Sequence, residues 1–339
     1  MKCMQCGTEI PQNSERCICR GAAVPKYTDR IPAWIYLFGA LIAVMVIISY
    51  LFLPRSLNSY KTVATAIDRA NDGYIYSTLS ALDEIAAKRP SSNVVPLQMM
   101  KIAMDHEYYS YAAYIYQTYL EGDKVSDSIY LRLESYAAVL DRYYNTYDAY
   151  DQMLSEITDS NEMSENHSEK IVSKLEALLE DPSYEPAVLY YYMGYSEIDQ
   201  LKRRKYFEQS FVLDPKNVDT AVQIGNSYRR EGDLETAESY ISAAYQIDKE
   251  APTTIRSLAI LELLKGNIAE GVSYAKQAYE MDRTQNYVAD TYLVSLKVNG
   301  EVEQAHALMA ELEQEDFYFD DSLRDFLDGK LTLEEYYID

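Results

Sequence analysis

Apolar and polar positions in the C-terminal half of the chain repeat with the period of an α-helix. One apolar stripe runs through the segment 232–248 and comprises Leu234, Ala237, Tyr240, Ile241, Ala244 and Tyr245. The segment before it carries Ile224, Gly225 and Tyr228 on one face. Residues spaced three and four apart lie on the same side of a helix. We therefore predict a pair of amphipathic helices, joined by a turn at Gly232 and Asp233.

This pattern returns at a fixed interval along the chain. Gly232, Gly266 and Gly300 are 34 residues apart, and so are Asp214, Asp248, Asp282 and Asp316. Small residues that allow helices to approach closely recur at Ala237, Ala244 and Ala278. A single helical hairpin cannot bury its apolar stripe alone, so we expect successive hairpins to stack on one another.

A helical hairpin repeated every 34 residues resembles the tetratricopeptide (TPR) family. The resemblance is strong over 218–317, and a fourth unit with a shorter turn extends the repeats to 187–317. We interpret 56–182 as degenerate hairpins of the same kind, and 318–339 as a capping segment. The family's large aromatic residue early in the first helix is replaced here by Ala221 and Ile255. The resemblance implies an all-α, TPR-type helical-hairpin solenoid.

Residues 31–53 contain no charged side chain. About 20 apolar residues suffice to cross the hydrocarbon core of a membrane, and Trp34, Tyr36 and Tyr50 lie near the ends, where aromatic belts form. A cleaved signal peptide or a buried core helix would normally be shorter, and no small-residue cleavage site follows. We therefore predict one transmembrane helix in the plasma membrane. Five Lys and Arg lie in the 30 residues before it, whereas three lie in the first twenty residues after it. This bias favours a cytoplasmic N-terminus and an extracytoplasmic repeat domain.

The composition restricts the partners of the repeat domain. The chain has a formal net charge of −23, and its first 30 residues are slightly basic, so the acidity lies beyond the predicted span. An acidic surface repels phosphate backbones, which argues against nucleic-acid binding. The chain also has 34 tyrosines, which can form many half-buried contacts because tyrosine has an apolar ring and a polar hydroxyl.

All four cysteines lie near the N-terminus. Cys3 and Cys6 are spaced C-x2-C, and Cys17 and Cys19 are spaced C-x-C. Two such thiolate pairs can complete a tetrahedral zinc site, and we predict a structural Zn²⁺ in a knuckle over residues 1–24. The segment resembles the short zinc ribbons of bacterial membrane proteins in Cys3, Cys6, Gly7, Ile10, Pro11 and Cys17. It departs from them where Arg20 replaces the expected fourth cysteine, so a degenerate knuckle or a redox-active thiol cluster remains an alternative.

Catalytic motifs are missing from the sequence. The three histidines are scattered, and no phosphate-binding loop, dinucleotide-binding motif or nucleophile elbow is present. We therefore expect a protein that is not an enzyme and has no small-molecule substrate.

The resemblance to TPR proteins implies a partner-binding surface lined by the first helix of each hairpin. In this register the lining positions are Tyr191, Tyr195, Asn226, Arg229, Arg230, Arg256, Asp290 and Lys297. Half of them are cationic, and arginine and tyrosine often carry binding energy at interfaces. The alternative is that these arginines pair with neighbouring carboxylates. Asn226 matches the groove asparagine of the family's chaperone-tail clamps, but Val222 replaces the lysine that such a clamp needs.

These observations predict a membrane-anchored scaffold that binds partner proteins or peptides on a TPR superhelix. The alternative function is a single-span sensor or regulator that couples ectodomain binding to the cytoplasmic zinc ribbon.

Overall fold

A computed structural model describes residues 2–10, 33–88, 92–120, 127–159 and 167–338. These residues are helical apart from turns and one isolated β-bridge between Lys2 and Glu9. The helices are α1 (Ala33–Asn71), α2 (Ile75–Ala87), α3 (Val94–Asp105), α4 (Tyr109–Ile115) with a π-helical extension (Tyr116–Leu120), α5 (Asp127–Asp159), α6 (His167–Leu178), α7 (Pro186–Ser196), α8 (Gln200–Leu213), α9 (Val218–Arg230), α10 (Leu234–Ile247), α11 (Pro252–Leu264), α12 (Ile268–Met281), α13 (Asn286–Val298), α14 (Val302–Gln314), α15 (Asp321–Leu327) and α16 (Leu333–Tyr337).

The chain divides into two compact units, Met1–Lys61 and Thr62–Asp339. The predicted membrane span over 31–53 falls in the first unit. Among the described residues, no helix combines the length and the apolar character needed to cross a membrane, so the structure does not support that prediction. Residues 31 and 32, and the side chains at 33, 48 and 50–53, lie outside the described part.

The predicted helical-hairpin solenoid is confirmed in the second unit. The hairpins α9–α10, α11–α12 and α13–α14 turn at Gly232, Gly266 and Gly300, whose φ angles are +81°, +82° and +85°. Only glycine adopts this left-handed conformation at little cost. In the first turn, the Asp233 N–H donates to the Tyr228 carbonyl at 3.0 Å, and the equivalent bond recurs from Asn267 and from Glu301. Each first helix therefore ends in the same glycine-dependent cap.

The two helices of each hairpin occupy different sides of the solenoid. The first helices α9, α11 and α13 contact one another in series, whereas α10, α12 and α14 show no comparable contacts among themselves. Side chains of successive first helices are therefore brought together on one face, called the inner face below.

Small residues permit the close packing of the hairpins. Ala237, Ala244 and Ala278 are fully buried. A Cβ added to Gly225 would lie 2.6 Å from the Ile241 side chain, which is too close for any real contact. The recurring small residues therefore mark helix–helix contacts, as the 34-residue period indicates.

The N-terminal hairpins pack against the repeats through a buried carboxylate. Asp248, which follows α10, is fully buried. Its Oδ2 accepts hydrogen bonds from the Tyr76 backbone N–H at 2.8 Å and from the Tyr108 hydroxyl at 3.0 Å. Nearby, the Lys249 N–H donates to the Gly73 carbonyl at 2.8 Å. The turn after α10 thus holds the start of α2 and the start of α4.

The C-terminal segment folds back on the repeats. Helix α15 packs against α13 and α14, and α16 packs against α15 and α11. The Thr332 side chain and the Glu335 side chain form a capping box at the start of α16. Because α16 contacts α11, the end of the chain reaches the inner face as well as the last hairpin.

Candidate partner-binding site

A polar cavity of about 550 Å³ lies on the inner face. Its lining includes Arg229 and Arg230 from the end of α9, Arg256 from α11 and Asp290 from α13. Four of the eight predicted partner-binding residues are therefore brought to one place. Other walls come from Asn286, Tyr287, Asp320, Ser322, Tyr336 and Tyr337.

The three arginines of this cavity have no carboxylate partner in the described residues. The arginines that do form ion pairs in the described part of the chain are other residues, namely Arg69, Arg142, Arg204 and Arg324. The positive charges of Arg229, Arg230 and Arg256 instead repel one another. Desolvation lowers the pKa of the Arg229 and Arg230 guanidinium groups most, and Arg256 lowers both further. For Arg230 this desolvation comes from surrounding protein atoms, although more than a third of the residue's surface is exposed. The alternative in which these arginines pair with neighbouring carboxylates is not what the structure shows.

Arg229 is the most deeply buried member of the cluster, with 4% of its surface exposed. One of its terminal N–H groups donates to the backbone carbonyl of Tyr337, whose ring centroid lies 5.4 Å from the guanidinium carbon. Its Nε is buried and has no hydrogen-bond partner among the described residues. Burial and the two neighbouring arginines lower its pKa to about 10, so it keeps its positive charge at neutral pH.

Arg256 is oriented by the helix beside it. Its Nε donates to the Tyr287 carbonyl and to the Thr291 hydroxyl, both at 2.9 Å. Its guanidinium carbon lies 5.3 Å from the centroid of the Tyr287 ring. These contacts use one of its five donor groups, and its terminal N–H groups form no hydrogen bond with the described residues.

The two acidic side chains of the cavity are bonded to donors other than the arginines. Asp290 accepts a hydrogen bond from the Tyr336 hydroxyl. Burial raises the pKa of Asp290 to about 6, although Tyr336 and Arg256 act in the opposite direction. Asp320 accepts from the Leu323 N–H at 3.0 Å and from the Ser322 hydroxyl at 2.7 Å, which caps α15. Neither carboxylate therefore neutralises the arginine cluster through a direct ion pair.

The other four predicted residues do not line this cavity. Asn226 is buried, and its Oδ1 accepts from the Ser257 hydroxyl at 3.3 Å. Lys297 donates to the Phe326 and Leu327 carbonyls and so satisfies the C-terminal end of α15. Tyr191 and Tyr195 both belong to α7, and their rings stack on each other with centroids 6.4 Å apart. The Tyr195 residue is 61% exposed.

The sequence interpretation missed the contribution of the C-terminal segment to the cavity. Tyr336 and Tyr337 contact residues about 50 and 110 positions away, such as Asp290 and Arg229. A repeat period encodes contacts between neighbouring hairpins only, and it carries no information about such a return. The Thr332-x-x-Glu335 pattern was a usable signal for α16 itself.

The described residues include only two of the four cysteines predicted to bind zinc. The Gly7 N–H donates to the Cys3 carbonyl, and the Cys3 N–H donates to the Thr8 carbonyl, both at 2.8 Å. Gly7 has a φ of +71°, so Cys3 and Cys6 lie on one tight turn. Cys17 and Cys19 lie outside the described residues, and within the described part no group of three His, Cys, Asp or Glu side chains is placed to hold a metal ion.

Comparison with known proteins identifies no family. No family model matches the chain, and no curated protein matches it. Similar solved structures include the APC/C hetero-tetramer Cut9–Hcn1, at 16% identity over 77% of this chain and 48% of that chain, with a TM-score of 0.42.

Two TPR proteins are also similar. One is YrrB, described as having an unusual peptide-binding site, at 15% identity over 61% of this chain and 95% of that chain, with a TM-score of 0.32. The other is a protein from Parabacteroides merdae, at 13% identity over 82% of this chain and 87% of that chain, with a TM-score of 0.34. Identities and scores are low, and the fold rests on the chain's own period and helix packing.

Proposed function

We propose that this protein is a protein–protein interaction scaffold whose inner face binds a segment of a partner protein. The observation that carries the proposal is the polar cavity among α9, α11 and α13, whose three arginines form no salt bridge with a carboxylate in the part of the chain that the structure describes. Arginine and tyrosine are prominent in binding hot spots because they combine large contact areas with directional donors. A face formed from successive first helices offers several such side chains to one extended or helical segment.

Binding, and not catalysis, is the activity that we propose. Besides its arginines, two carboxylates and tyrosines, the cavity is lined by the polar side chains of Gln200, Asn286 and Ser322. The one hydroxyl–carboxylate pair among them, Ser322 and Asp320, belongs to the N-terminal cap of α15. Arginine clusters supply recognition and charge complementarity.

Charge reversal at an exposed arginine tests the scaffold. Arg230 is exposed, so Arg230→Glu should leave the melting temperature unchanged and reduce capture of the partner about tenfold or more. Arg283→Glu is the matched control, because Arg283 is an exposed arginine after α12, outside the cavity. Partners would be identified by cross-linking and mass spectrometry with the wild-type chain as bait. Equal recovery with both variants would contradict the proposal.

A second proposal concerns the first part of α1, which we propose as a membrane anchor with the N-terminus inside and the repeats outside. Its support is the exposed, uncharged surface from 34 to 47, where Leu37 is 72% exposed and Met45 is 60% exposed. A helix that is apolar on all sides favours an apolar environment. Alkaline extraction should leave the protein with membranes, and protease added to intact cells should digest it beyond residue 54. Release by alkali would contradict anchoring, and full protection would reverse the orientation.

We also propose that residues 1–24 bind a structural Zn²⁺ through Cys3, Cys6, Cys17 and Cys19. The tight turn that carries Cys3 and Cys6 supports this. The metal would hold together a segment too short to have a core of its own. The purified chain should contain one zinc per molecule, and Cys6→Ser should lose it. Zinc retained at full stoichiometry in Cys19→Ser would show that the fourth ligand is wrong.

The sensor alternative differs in what the N-terminal segment does. Replacement of residues 1–24 by an unrelated soluble tag should preserve a scaffold's activity, since its inner face lies in the second unit. Loss of activity after that exchange, with partner capture intact, would favour a regulator that signals through the N-terminal segment.

A further inference from the structure

The arginine cluster of the cavity carries positive charge that the described residues do not balance. Arg229 lines the cavity and has 4% of its surface exposed. Its Nε is buried and has no hydrogen-bond partner among the described residues. A buried, charged donor without a partner is costly, because its desolvation is not compensated. Arg230 and Arg256 line the same cavity, and each adds to the electrostatic cost of leaving the site without an anion.

The acids nearest the cluster do not serve as its counter-ions. The Asp290 carboxylate is bonded to the Tyr336 hydroxyl, and the Asp320 carboxylate is bonded to the Leu323 N–H and the Ser322 hydroxyl at the start of α15. The hydrogen-bond donors to both acids, Tyr336 for Asp290 and Ser322 and Leu323 for Asp320, thus all belong to the C-terminal segment. The guanidinium groups therefore donate to backbone carbonyls and to the Thr291 hydroxyl, and neither acid accepts a hydrogen bond from them in the described structure.

We infer that Arg229, Arg230 and Arg256 form an oxyanion-binding site that takes a carboxylate or phosphate group carried by the partner's peptide. This assignment names the chemistry of the partner and rests on the proposed function for the peptide, although the anion site itself does not depend on it.

The geometry favours an oxyanion over other acceptors. A guanidinium is planar and matches the two oxygens of a carboxylate or phosphate with parallel N–H donors. Arg256 is already fixed through its Nε to Tyr287 and Thr291, so binding need not order it further. The cavity of about 550 Å³ has room for such a group together with the side chain that carries it.

This site differs from the clamp seen in chaperone-tail receptors of the same repeat type. In this chain, Asn226 is buried and bonded to Ser257, and Val222 is an apolar, buried residue of α9. The arginines at the end of α9 and on α11 supply the charge instead.

The test uses the full-length chain and two small probes, inorganic phosphate and acetate, with chloride at matched ionic strength as the reference. Isothermal titration should show saturable binding of one phosphate per chain, and thermal unfolding should show a matching rise in melting temperature. Arg230→Gln should weaken binding about tenfold or more, because it removes one charged donor from the anion. Arg230 is exposed and outside the core, so the variant should fold.

Controls separate the site from general ionic effects. Arg283→Gln should bind phosphate as tightly as the wild type. Saturable binding of acetate as well as phosphate would assign the site to carboxylates of acidic peptides, and binding of phosphate alone would assign it to phosphorylated peptides. The inference is overturned if neither anion binds saturably beyond the chloride reference, or if Arg230→Gln binds as tightly as the wild type.

The outcome is independent of the scaffold proposal. Partner capture that persists without any anion binding would remove the oxyanion site and leave the scaffold. Specific anion binding without a captured partner would support the oxyanion site and remove the scaffold proposal.

Discussion

Burial changes the protonation equilibria of individual side chains on the inner face. Arg229 and Asp290 both line the cavity, yet their environments shift their pKa values in the directions that reduce charge: burial lowers the first to about 10 and raises the second to about 6. The arginine stays charged at neutral pH, whereas the carboxyl group ionises only at a cost. The two residues therefore respond differently to pH.

Asp290 gives a prediction with a defined pH window. Its folded pKa of about 6 lies above the usual value of 3.8, so the native state holds the proton more tightly than the unfolded state. The protonated Asp290 carboxyl group contributes its full share to the free energy of unfolding below about pH 4. That contribution is lost as the pH rises through about 6, because the buried group then ionises. At pH 7, Asp290→Asn should raise the free energy of unfolding by up to about 3 kcal/mol. Urea unfolding at pH 7 and pH 4 measures it, and a gain that is equal at both pH values would contradict the assignment.

The small residues between helices give a second prediction. Ala278 on α12 is fully buried, whereas Ala269 on the same helix is exposed. Ala278→Leu should overpack the contact and cost about 1–3 kcal/mol, whereas Ala269→Leu should change the free energy of unfolding by less than about 0.5 kcal/mol. Thermal unfolding of both variants is the measurement. Equal effects would show that the burial pattern is wrong.

At the scale of elements, one turn joins the regular repeats to the irregular hairpins. The aspartates after α8, α10 and α12 each accept a bond from a backbone N–H two residues on, as at Asp282 and Thr284. Asp248 alone among them also receives bonds from Tyr76 and Tyr108. The position of Asp248 in the 34-residue period predicts a turn residue. The period does not predict its bonds to Tyr76 and Tyr108, because these tyrosines lie in the N-terminal hairpins, outside the regular repeats.

Asp248→Ala should therefore weaken the contact between α10 and the N-terminal hairpins. It leaves the Tyr76 N–H and the Tyr108 hydroxyl without their acceptor, so the free energy of unfolding should fall by about 2–4 kcal/mol. Asp282→Ala is the matched control at the equivalent position, since among the described residues the Asp282 carboxylate accepts hydrogen bonds from Thr284 alone, and it should cost about 1 kcal/mol or less. Hydrogen exchange should rise in α2 and α4 for the first variant alone. Equal costs for the two variants would contradict this account.

The sequence predicted the elements best where the repeat period is strict. The turns at Gly232, Gly266 and Gly300 recur because each first helix needs a residue with positive φ at its end. The period cannot show that Lys297, placed by its register on the inner face, is used to satisfy the end of α15. That contact depends on how the C-terminal segment folds back, which local patterns do not specify.

At the scale of the molecule, the second unit combines a regular solenoid with a C-terminal segment that forms part of its inner face. Stacking of like hairpins follows from the sequence, because each must bury its apolar stripe against a neighbour. The cavity does not follow, because its walls include α16, which reaches α11 across the last hairpin. Four predicted binding residues meet there, and the other four serve different contacts.

The central claim is that a partner binds at this cavity on the inner face. The most direct measurement places a photo-crosslinking amino acid at Tyr318, which lines the cavity and is 77% exposed, or at the exposed Lys276 on α12. We expect a discrete adduct with a partner protein from position 318, lost when Arg230→Glu is added, and none from position 276. Adducts from position 276 alone, or from both positions regardless of Arg230→Glu, would contradict it.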